Sequence, residues 1–304
     1  VHALPEEDLR SATLSAEITL SLPREEPVTL LGTLLDAEGR TVDRFPLPAQ
    51  PRIVFCRKIT APRLWSAEQP NLYTLRFTLS AESGEPIEVA QTEVGFRRFE
   101  QKNGLLCLNG KRLLLHGVNR HEFSRRQGRA LSEQDMLWDI RTLKSNNINA
   151  VRTSHYPNNS LWYRLCDRYG LYLIDETNLE THGTWMVMGK VLPENALPSN
   201  REEWQPACLD RAQSLLERDK NHACVLFWSC GNESYGGSVL HAMSQFFRTR
   251  DPDRPVHYEG IFHDRRYNDT SDVESQMYTT AANVADWLNT HDDKPFILCE
   301  YAHA

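Results

Sequence analysis

The feature that most constrains the fold is a change of hydrophobic period near residue 100. Before it, apolar residues recur at every second position, as in Leu14–Leu20 and Tyr73–Leu79. Beyond Asn109, strand-sized apolar runs alternate with longer stretches that have a helical period. A period of two is typical of half-buried strands, whereas alternating strands and helices indicate a parallel sheet covered by helices. The sequence therefore predicts two domains of different architecture.

Residues 1–100 are predicted to form an all-β, immunoglobulin-like sandwich. Turn residues such as Gly39, Pro70 and Gly84 separate short strand candidates of alternating polarity. Strands at a spacing of about 8–12 residues are typical of antiparallel sandwiches, which need roughly 100 residues.

Residues 101–304 are predicted to form a (β/α)8 TIM barrel that is incomplete at its C-terminus. A hairpin opens this domain, with Asn109-Gly110 as a type I′ turn between Leu105–Leu108 and Leu113–Leu115. The candidate strands that follow are Leu113–Val118, Ile148–Arg152, Leu171–Asp175, Cys224–Ser229, Val256–Glu259, Ser275–Tyr278 and Phe296–Glu300. The candidate helices are Ser132–Asn146, Ser160–Tyr169, Glu203–Lys220, Gly237–Arg248 and Ala281–Thr290. A closed barrel needs eight strands, so we expect truncation after about seven.

The composition excludes several kinds of partner. The net charge of −7 provides no basic field for nucleic acid, and no apolar stretch reaches the roughly 20 residues of a membrane span. Seven scattered cysteines without a CxxC pair predict free thiols in a reducing compartment, hence a cytoplasmic location. The start at Val1 and the end at Ala304, directly after a strand-like run, predict that both ends are cut.

Polar side chains follow the candidate parallel strands, at the edge where chemistry sits in α/β folds. Glu233 and Glu300 stand out because each follows a strongly apolar strand. Burial raises a carboxyl pKa and a neighbouring cation lowers it, so two such groups can serve as acid and nucleophile. Glycoside hydrolysis requires that division. The alternative is that both are rim carboxylates in ion pairs.

A second cluster suggests a metal. Glu180 and His182 are alternate residues of an extended segment and can face one ion, with Glu233 as a third ligand. Two carboxylates and one imidazole suit magnesium better than zinc, although the pair could also lie on a surface loop. A metal hydrolase centred on these residues is a further alternative, disfavoured because catalytic zinc usually takes more imidazoles.

Three histidines at strand ends are suited to the hydroxyl groups of a sugar: His121, His155 and His303. Trp185 and Trp204 could offer aromatic faces to a sugar ring, although Trp204 is expected to pack in the core at the start of a helix.

The chain resembles glycoside hydrolase family 2, in particular its large bacterial β-galactosidases, from about residue 60 onward. The matching segments are Leu64–Glu68, Pro70–Tyr73, Val94–Arg97, His116–Glu122, Val151–Asn158, Leu165–Leu171, Asp175–Gly183, Trp228–Ser234 and Ile297–Ala304. Cys230 departs from the family pattern, which has a larger aliphatic residue there.

The resemblance implies a retaining hydrolase of terminal β-galactosides. Glu233 would be the acid/base, Glu300 the nucleophile, and Glu180, His182 and Glu233 the magnesium ligands. The residues implied to bind substrate are Asn232, His121, His155, Tyr278 and His303. The resemblance also implies a homo-oligomer, and a sodium site that this chain would not contain.

Two alternatives remain open. The family's β-glucuronidases and β-mannosidases share the barrel, although their sequence around the nucleophile differs. The chain could also be a catalytically silent fragment that is active only beside missing domains, because an incomplete barrel exposes strand edges.

Overall fold

A computed structural model describes residues 1–21 and 27–302. The chain divides into two compact units. Unit 1 comprises Val1–Arg98, Asp167–Gly170 and Asn221–Ala223. Unit 2 comprises Phe99–Cys166, Leu171–Lys220 and Cys224–Ala304.

Unit 1 is an antiparallel β-sandwich, as predicted. Its strands are β1 (His2–Pro5), β2 (Ser11–Thr19), β3 (Val28–Leu35), β4 (Thr41–Leu47), β5 (Arg52–Thr60), β6 (Tyr73–Ala81) and β7 (Pro86–Val94). One sheet has the order β1-β2-β5 and the other the order β4-β3-β6-β7.

The core of unit 1 follows from the period of two. In β2, Ala12, Leu14 and Ala16 are buried, with intermediate residues between them. They belong to one hydrophobic cluster with residues of the second sheet, including Leu34 and Leu75. Alternate side chains of a strand point to one face, so this pattern supplies each sheet with one apolar side.

Unit 2 begins with a small antiparallel sheet of β8 (Phe99–Lys102), β9 (Leu105–Leu108) and β10 (Lys111–Arg112). Asn109 and Gly110 have φ angles of 50° and 73°, as a type I′ turn requires. The second strand of the hairpin was predicted at Leu113–Leu115 and instead starts at Lys111, because a two-residue turn lets pairing resume directly after Gly110.

The remaining strands of unit 2 are β11 (Gly117–Asn119), β12 (Ala150–Arg152), β13 (Tyr172–Glu176), β14 (Met186–Val187), β15 (Lys190–Val191), β16 (Val225–Ser229), β17 (Val256–His257), β18 (Glu274–Met277) and β19 (Phe296–Glu300). Apart from the short β14–β15 hairpin, they pair in parallel. These seven parallel strands coincide with the seven that the sequence predicts, within a few residues at each end.

The parallel strands do not close into a barrel in the described part of the chain. They form a five-stranded sheet, β11-β12-β13-β16-β17, and a separate pair, β18-β19. The ladder stops at β17 because that strand has only two residues. The chain then turns into 3-10 helices at Glu259–His263 and Arg265–Thr270. The prediction of an incomplete barrel therefore agrees with the observed strand order.

The α-helices are α1 (Glu133–Ser145), α2 (Ser160–Tyr169), α3 (His182–Trp185), α4 (Gln205–Asp219), α5 (Ser238–Arg250) and α6 (Ala281–Thr290). All five predicted helices are present. The start of α1 is fixed by a capping box. Ser132 Oγ accepts from the Asp135 amide at 3.2 Å, and the Asp135 carboxylate accepts from the Ser132 amide at 2.9 Å.

Candidate active site

The carboxyl ends of four parallel strands supply the polar residues of one site. Arg152, Glu176 and Glu300 are the last residues of β12, β13 and β19, and Glu233 follows β16 after a short turn. β12, β13 and β16 are parallel strands of one sheet, so their carboxyl ends meet at one edge. The bond between Arg152 and Glu300 brings the end of β19 to the same edge. A cavity of about 520 Å³ lies there, with Arg152 and Glu300 among its lining residues.

Strand geometry decides which side chain of β13 bonds to Arg152. Successive side chains point to opposite faces of a strand. Asp175 accepts a hydrogen bond from the Tyr163 hydroxyl of α2 at 2.7 Å. Its neighbour Glu176 faces the other way and accepts from Arg152. The β13 backbone thus directs Asp175 to the helix layer and Glu176 to the interior.

Glu300 is held through both of its carboxylate oxygens. Oε1 accepts from Arg152 Nη1 at 3.1 Å, and Oε2 accepts from the Tyr278 hydroxyl at 2.6 Å. The bond to Glu300 raises the Tyr278 pKa to about 12, so the phenol keeps its proton and donates it. His155 Nε2 lies 3.8 Å from Glu300 Oε1. The carboxylate is therefore fixed in orientation, as a nucleophile must be.

Glu233 has a different environment from Glu300. Burial raises the pKa of its carboxyl group, the nearby His182 opposes that effect, and the charges of Glu300 and Glu180 add to it. Glu233 Oε2 lies 3.1 Å from His182 Nδ1 and 3.5 Å from the Asn232 amide nitrogen. A carboxyl group that holds its proton more tightly is suited to donate it to a leaving group.

Arg152 links the two sides of the site. Its guanidinium is buried, with 3% of the side chain exposed. Besides the bond to Glu300, Nε donates to Glu176 Oε2 at 2.7 Å, and Nη2 donates to Asn232 Oδ1 at 2.7 Å. One cation therefore orients a strand-end carboxylate, the nucleophile candidate and the asparagine beside Glu233.

Glu176 is the buried carboxylate that bonds to Arg152 and His155. Burial alone would raise its pKa, but the Arg152 charge and bonds from His155 and Ser229 outweigh burial and lower the pKa to about 2. His155 Nδ1 lies 2.8 Å from Glu176 Oε1, and Ser229 Oγ donates to Oε2 at 2.7 Å. An anionic Glu176 places the proton of His155 on Nδ1, which leaves Nε2 facing the cavity.

His121 lies beside His155. Its ring packs edge-on against His155 with centroids 5.4 Å apart, and the Tyr156 hydroxyl lies 3.4 Å from Nδ1. Burial, together with the positive charge that His155 can carry, lowers the His121 pKa. Both His121 and His155 line the cavity. Neutral imidazoles offer one donor and one acceptor each, which suits hydroxyl groups.

The predicted metal ligands are only partly assembled. His182 and Glu233 meet, whereas the Glu180 side chain is exposed. In the part of the chain that the structure describes, the ligand atoms of these three residues are not all within 4.8 Å of one another. Backbone pairing nonetheless brings the segments together, since Glu180 forms a parallel bridge with Asn232. Two carboxylates and an imidazole at an open edge fit a hard divalent cation completed by water.

A glycine makes this bridge sterically feasible. Gly231 has a φ of 141°, and a Cβ atom there would lie 2.6 Å from the Leu179 carbonyl oxygen. That carbonyl accepts from the Asn232 amide at 2.8 Å. A side chain at position 231 would therefore separate the Glu180 segment from the Glu233 segment.

Other predicted residues have varied outcomes. Trp185 is buried, and its indole donates to the Glu233 carbonyl at 2.8 Å. It therefore holds the Glu233 backbone and does not offer a ring face to a sugar. Trp204 is 44% exposed, and the expectation that it packs in the core is wrong because it lies in a 3-10 turn before α4. His303 lies outside the described residues.

Sequence reasoning did not single out Arg152 or Glu176 as site residues. Each ends an apolar strand with a charged side chain, the same pattern that identified Glu300. A charge in that position is costly to bury unless it is paired. A pair of opposite charges at the ends of two neighbouring strands is therefore the sequence pattern that could have identified Arg152 and Glu176.

Comparison with known proteins identifies the family. Sequence profiles described as "Glycosyl hydrolases family 2" and "Glycosyl hydrolases family 2, TIM barrel domain" match residues 1–97 and 99–304. The chain belongs to glycosyl hydrolase family 2. This family 2 chain is 50% identical to a β-galactosidase of Halalkalibacterium halodurans over 305 residues, which cover 100% of the chain and 30% of that protein. It is also 50% identical to a β-galactosidase of Clostridium acetobutylicum, over 98% of the chain and 33% of that protein.

Solved structures share the fold of this family 2 chain. A β-glucuronidase of Bacteroides uniformis superposes with a TM-score of 0.80 at 22% identity, over 97% of this chain and 37% of that one. A β-glycosidase of Bacteroides vulgatus gives 0.78 at 23% identity, again over 97% and 37%. The chain spans about a third of the length of the β-galactosidases it matches. None of the helices in its described part is long and apolar enough to cross a bilayer.

Proposed function

We propose that this chain carries the catalytic residues of a retaining β-galactosidase. The observation that supports this most directly is the contrast between two carboxyl groups of one site. Glu300 is fixed by two donors, and Glu233 has a raised pKa. Relatives about 50% identical over the whole chain are β-galactosidases.

The proposed reaction has two steps. In the first, Glu300 attacks the anomeric carbon, the glycosidic C–O bond breaks, and Glu233 gives its proton to the departing oxygen. A galactosyl ester of Glu300 forms. In the second, a water oxygen attacks the same carbon, its proton passes to Glu233, and the ester bond breaks. The product keeps the β-configuration, and both carboxyl groups return to their initial states.

The surrounding residues would act by orientation. Arg152 and Tyr278 aim the Glu300 carboxylate, and Asn232 lies between Arg152 and Glu233, where a sugar 2-hydroxyl would need a partner. His155 and His121 would bind other hydroxyl groups of galactose. The proposed role of His303 rests on the family resemblance alone.

A trapping experiment tests the proposal in the enzyme that carries this chain. A 2-fluoro-galactoside with an activated leaving group should label Glu300, as peptide mass spectrometry would show. Glu300→Gln should abolish both labelling and turnover. Glu274→Gln is the control, because Glu274 is a buried strand carboxyl group that bonds to Arg265 and is not among the residues that line the cavity. Labelling of another residue, or normal turnover by Glu300→Gln, would refute the assignment.

Sugar specificity is tested separately. The cavity is lined by the imidazoles of His121 and His155 and the amide of Asn119, which suit hydroxyl groups. Its cation, Arg152, already binds two carboxylates. A uronic acid would need a further cation for its carboxylate. Nitrophenyl galactoside should therefore be hydrolysed with a higher kcat/KM than the glucuronide or mannoside. The reverse order would favour one of the other activities considered above.

We also propose that Glu180, His182 and Glu233 hold magnesium. Bound there, the ion would add positive charge beside the acid/base and so oppose the effect of burial on its pKa. The expected result is a rise in Tm on adding Mg²⁺ to chelator-treated protein, which Glu180→Gln should reduce. An equal rise in both proteins would argue against the site.

A second candidate follows from the open strand order of unit 2. The sheet ends at β17, and β18-β19 pair separately, so the 304-residue chain alone could be silent and act only within a longer assembly. A chromogenic galactoside assay on the isolated chain decides this, since robust turnover would exclude it.

Assembly into a homo-oligomer remains a proposal. Buried free thiols at Cys208, Cys230 and Cys299 support a reducing, cytoplasmic location.

A further inference from the structure

The backbone of Glu233 and Ser234 is held by side chains from distant segments. The Glu233 amide donates to Glu259 Oε1 at 2.7 Å, and its carbonyl accepts from the Trp185 indole at 2.8 Å. The Ser234 amide donates to the Tyr258 hydroxyl at 3.1 Å. Both peptide groups that flank the Glu233 side chain are thus bonded to side chains rather than to a helix or sheet.

Glu233 needs this support because of its conformation. Its φ is 39°, in the left-handed region that residues with a Cβ atom rarely adopt. Such a residue persists only when its surroundings determine it. In the right-handed region the Cα–Cβ bond would point elsewhere, and the carboxyl group would lose its contacts with His182 and Asn232.

The segment 258–260, which provides two of these bonds, is itself buried and closely packed. Tyr258 and Glu259 are buried, and the Tyr258 hydroxyl also donates to the Tyr235 carbonyl at 3.2 Å. The next residue is Gly260, where a Cβ atom would lie 2.4 Å from the Tyr235 carbonyl oxygen. The close approach of the 258–260 segment to the turn after Glu233 thus depends on a missing side chain.

We propose that Glu259 and Tyr258 are positioning residues, which hold Glu233 in its left-handed conformation and so aim the proton that it gives to the leaving group. This inference rests on the proposed role of Glu233 as acid/base. Neither residue needs to touch the substrate. Their effect should appear wherever Glu233 gives or takes a proton, and should be absent from an attack by Glu300 on a substrate whose leaving group needs no proton.

Leaving-group dependence tests this in the enzyme that carries the chain. A dinitrophenol leaves without protonation, whereas the glucose of lactose requires it. We therefore expect Glu259→Met to lower kcat for lactose by about 10- to 100-fold, which is a partial loss of the ~10²–10⁴-fold that general acid catalysis contributes. For the dinitrophenyl galactoside, the glycosylation rate should change less than about threefold. Glu259→Gln keeps an acceptor oxygen and should behave like the wild type.

Tyr258→Phe provides a second, nearly isosteric test, should Glu259→Met not fold. It removes one hydroxyl and should show the same selective loss for lactose. Glu274→Gln, a change in a buried carboxyl group that bonds to Arg265 and Gln276, should show none. In Glu259→Met and Tyr258→Phe, a loss in the dinitrophenyl glycosylation rate as large as the loss in kcat for lactose, or no loss in either, would overturn the inference. No turnover by the wild-type enzyme would instead refute the proposed function.

Amide hydrogen exchange provides a readout that does not require activity. The Glu233 amide should exchange slowly in the wild type and in Glu259→Gln, and faster in Glu259→Met. Fast exchange in the wild type would contradict the bond on which the inference rests.

Discussion

The buried pair of Arg152 and Glu176 gives the most quantitative prediction, because the pKa of Glu176 reports how strongly its surroundings stabilise the anion. That pKa falls from an ordinary value of 4.5 to about 2, although the side chain is fully buried. A tenfold change in an equilibrium corresponds to about 1.4 kcal/mol, so the ionised group contributes about 3 kcal/mol to stability at neutral pH.

The sign of the pH dependence follows from the lowered pKa. Between about pH 4.5 and pH 2 the unfolded chain binds a proton at Glu176 that the folded chain does not. Stability from this group is therefore complete above pH 4.5 and is lost as the pH falls towards 2.

Glu176→Gln tests both the magnitude and the sign. The amide cannot accept from Arg152, His155 and Ser229 as a carboxylate does, and Arg152 loses its closest counter-charge. Removing one partner of a buried ion pair typically costs about 3–5 kcal/mol. We expect the free energy of unfolding in urea at pH 7 to fall by about 3 kcal/mol, and its dependence on pH below 4.5 to become flatter.

A surface pair serves as the control. Arg168 bonds to Glu93 at 3.0 Å, but the Arg168 side chain is 56% exposed. Glu93→Gln should therefore cost less than about 1 kcal/mol and leave the pH dependence unchanged. If Glu176→Gln were no more destabilising than Glu93→Gln at pH 7, the reasoning about the buried pair would be wrong.

Three further predictions concern the site and the fold. Tyr278→Phe removes the 2.6 Å bond to Glu300, so we expect kcat to fall about 10- to 100-fold with little change in Tm. An unaltered kcat would contradict the role of Tyr278. Glu300→Gln removes a charge that raises the Glu233 pKa, so a pH titration of Glu233 should show a lower pKa in that variant; an unchanged value would mean that the two groups do not interact. Ser132→Ala breaks the capping box of α1 and should lower the free energy of unfolding by about 1 kcal/mol in urea, with Ser145→Ala at the other end of α1 as the smaller control.

The fold was predictable from the sequence to the extent that hydrophobic period determines it. The alternation in β2 predicts which residues face the core, and the Ser132–Asp135 pair predicts where α1 begins. Whether the sheet closes was harder to predict from the sequence. The pattern around Val256 indicates a strand, but whether the next residues extend it or turn depends on tertiary contacts such as that of Gly260 with Tyr235.

The candidate site shows the same division. Strand-end position and burial singled out Glu233 and Glu300, because charged residues after apolar runs are visible in one sequence. Hydrogen bonds between side chains of different strands cannot be seen in one sequence. That Arg152 would bind both Glu176 and Glu300 depends on the register of β12 and β13, and on β19 lying near β12 although 148 residues separate Arg152 from Glu300. Likewise, no local pattern indicates that Glu259 bonds to the Glu233 amide.

The electrostatics of the site explain how Glu233 could change from acid to base during the proposed reaction. Before attack, the charge of Glu300 helps to raise the Glu233 pKa, which favours the protonated acid. Once Glu300 forms an ester, that charge is gone, while His182 still favours the Glu233 anion. Glu233 then becomes the base that the second step needs. The bonds from Arg152 to Glu176 and Asn232 do not involve Glu300, so forming the ester need break neither of them.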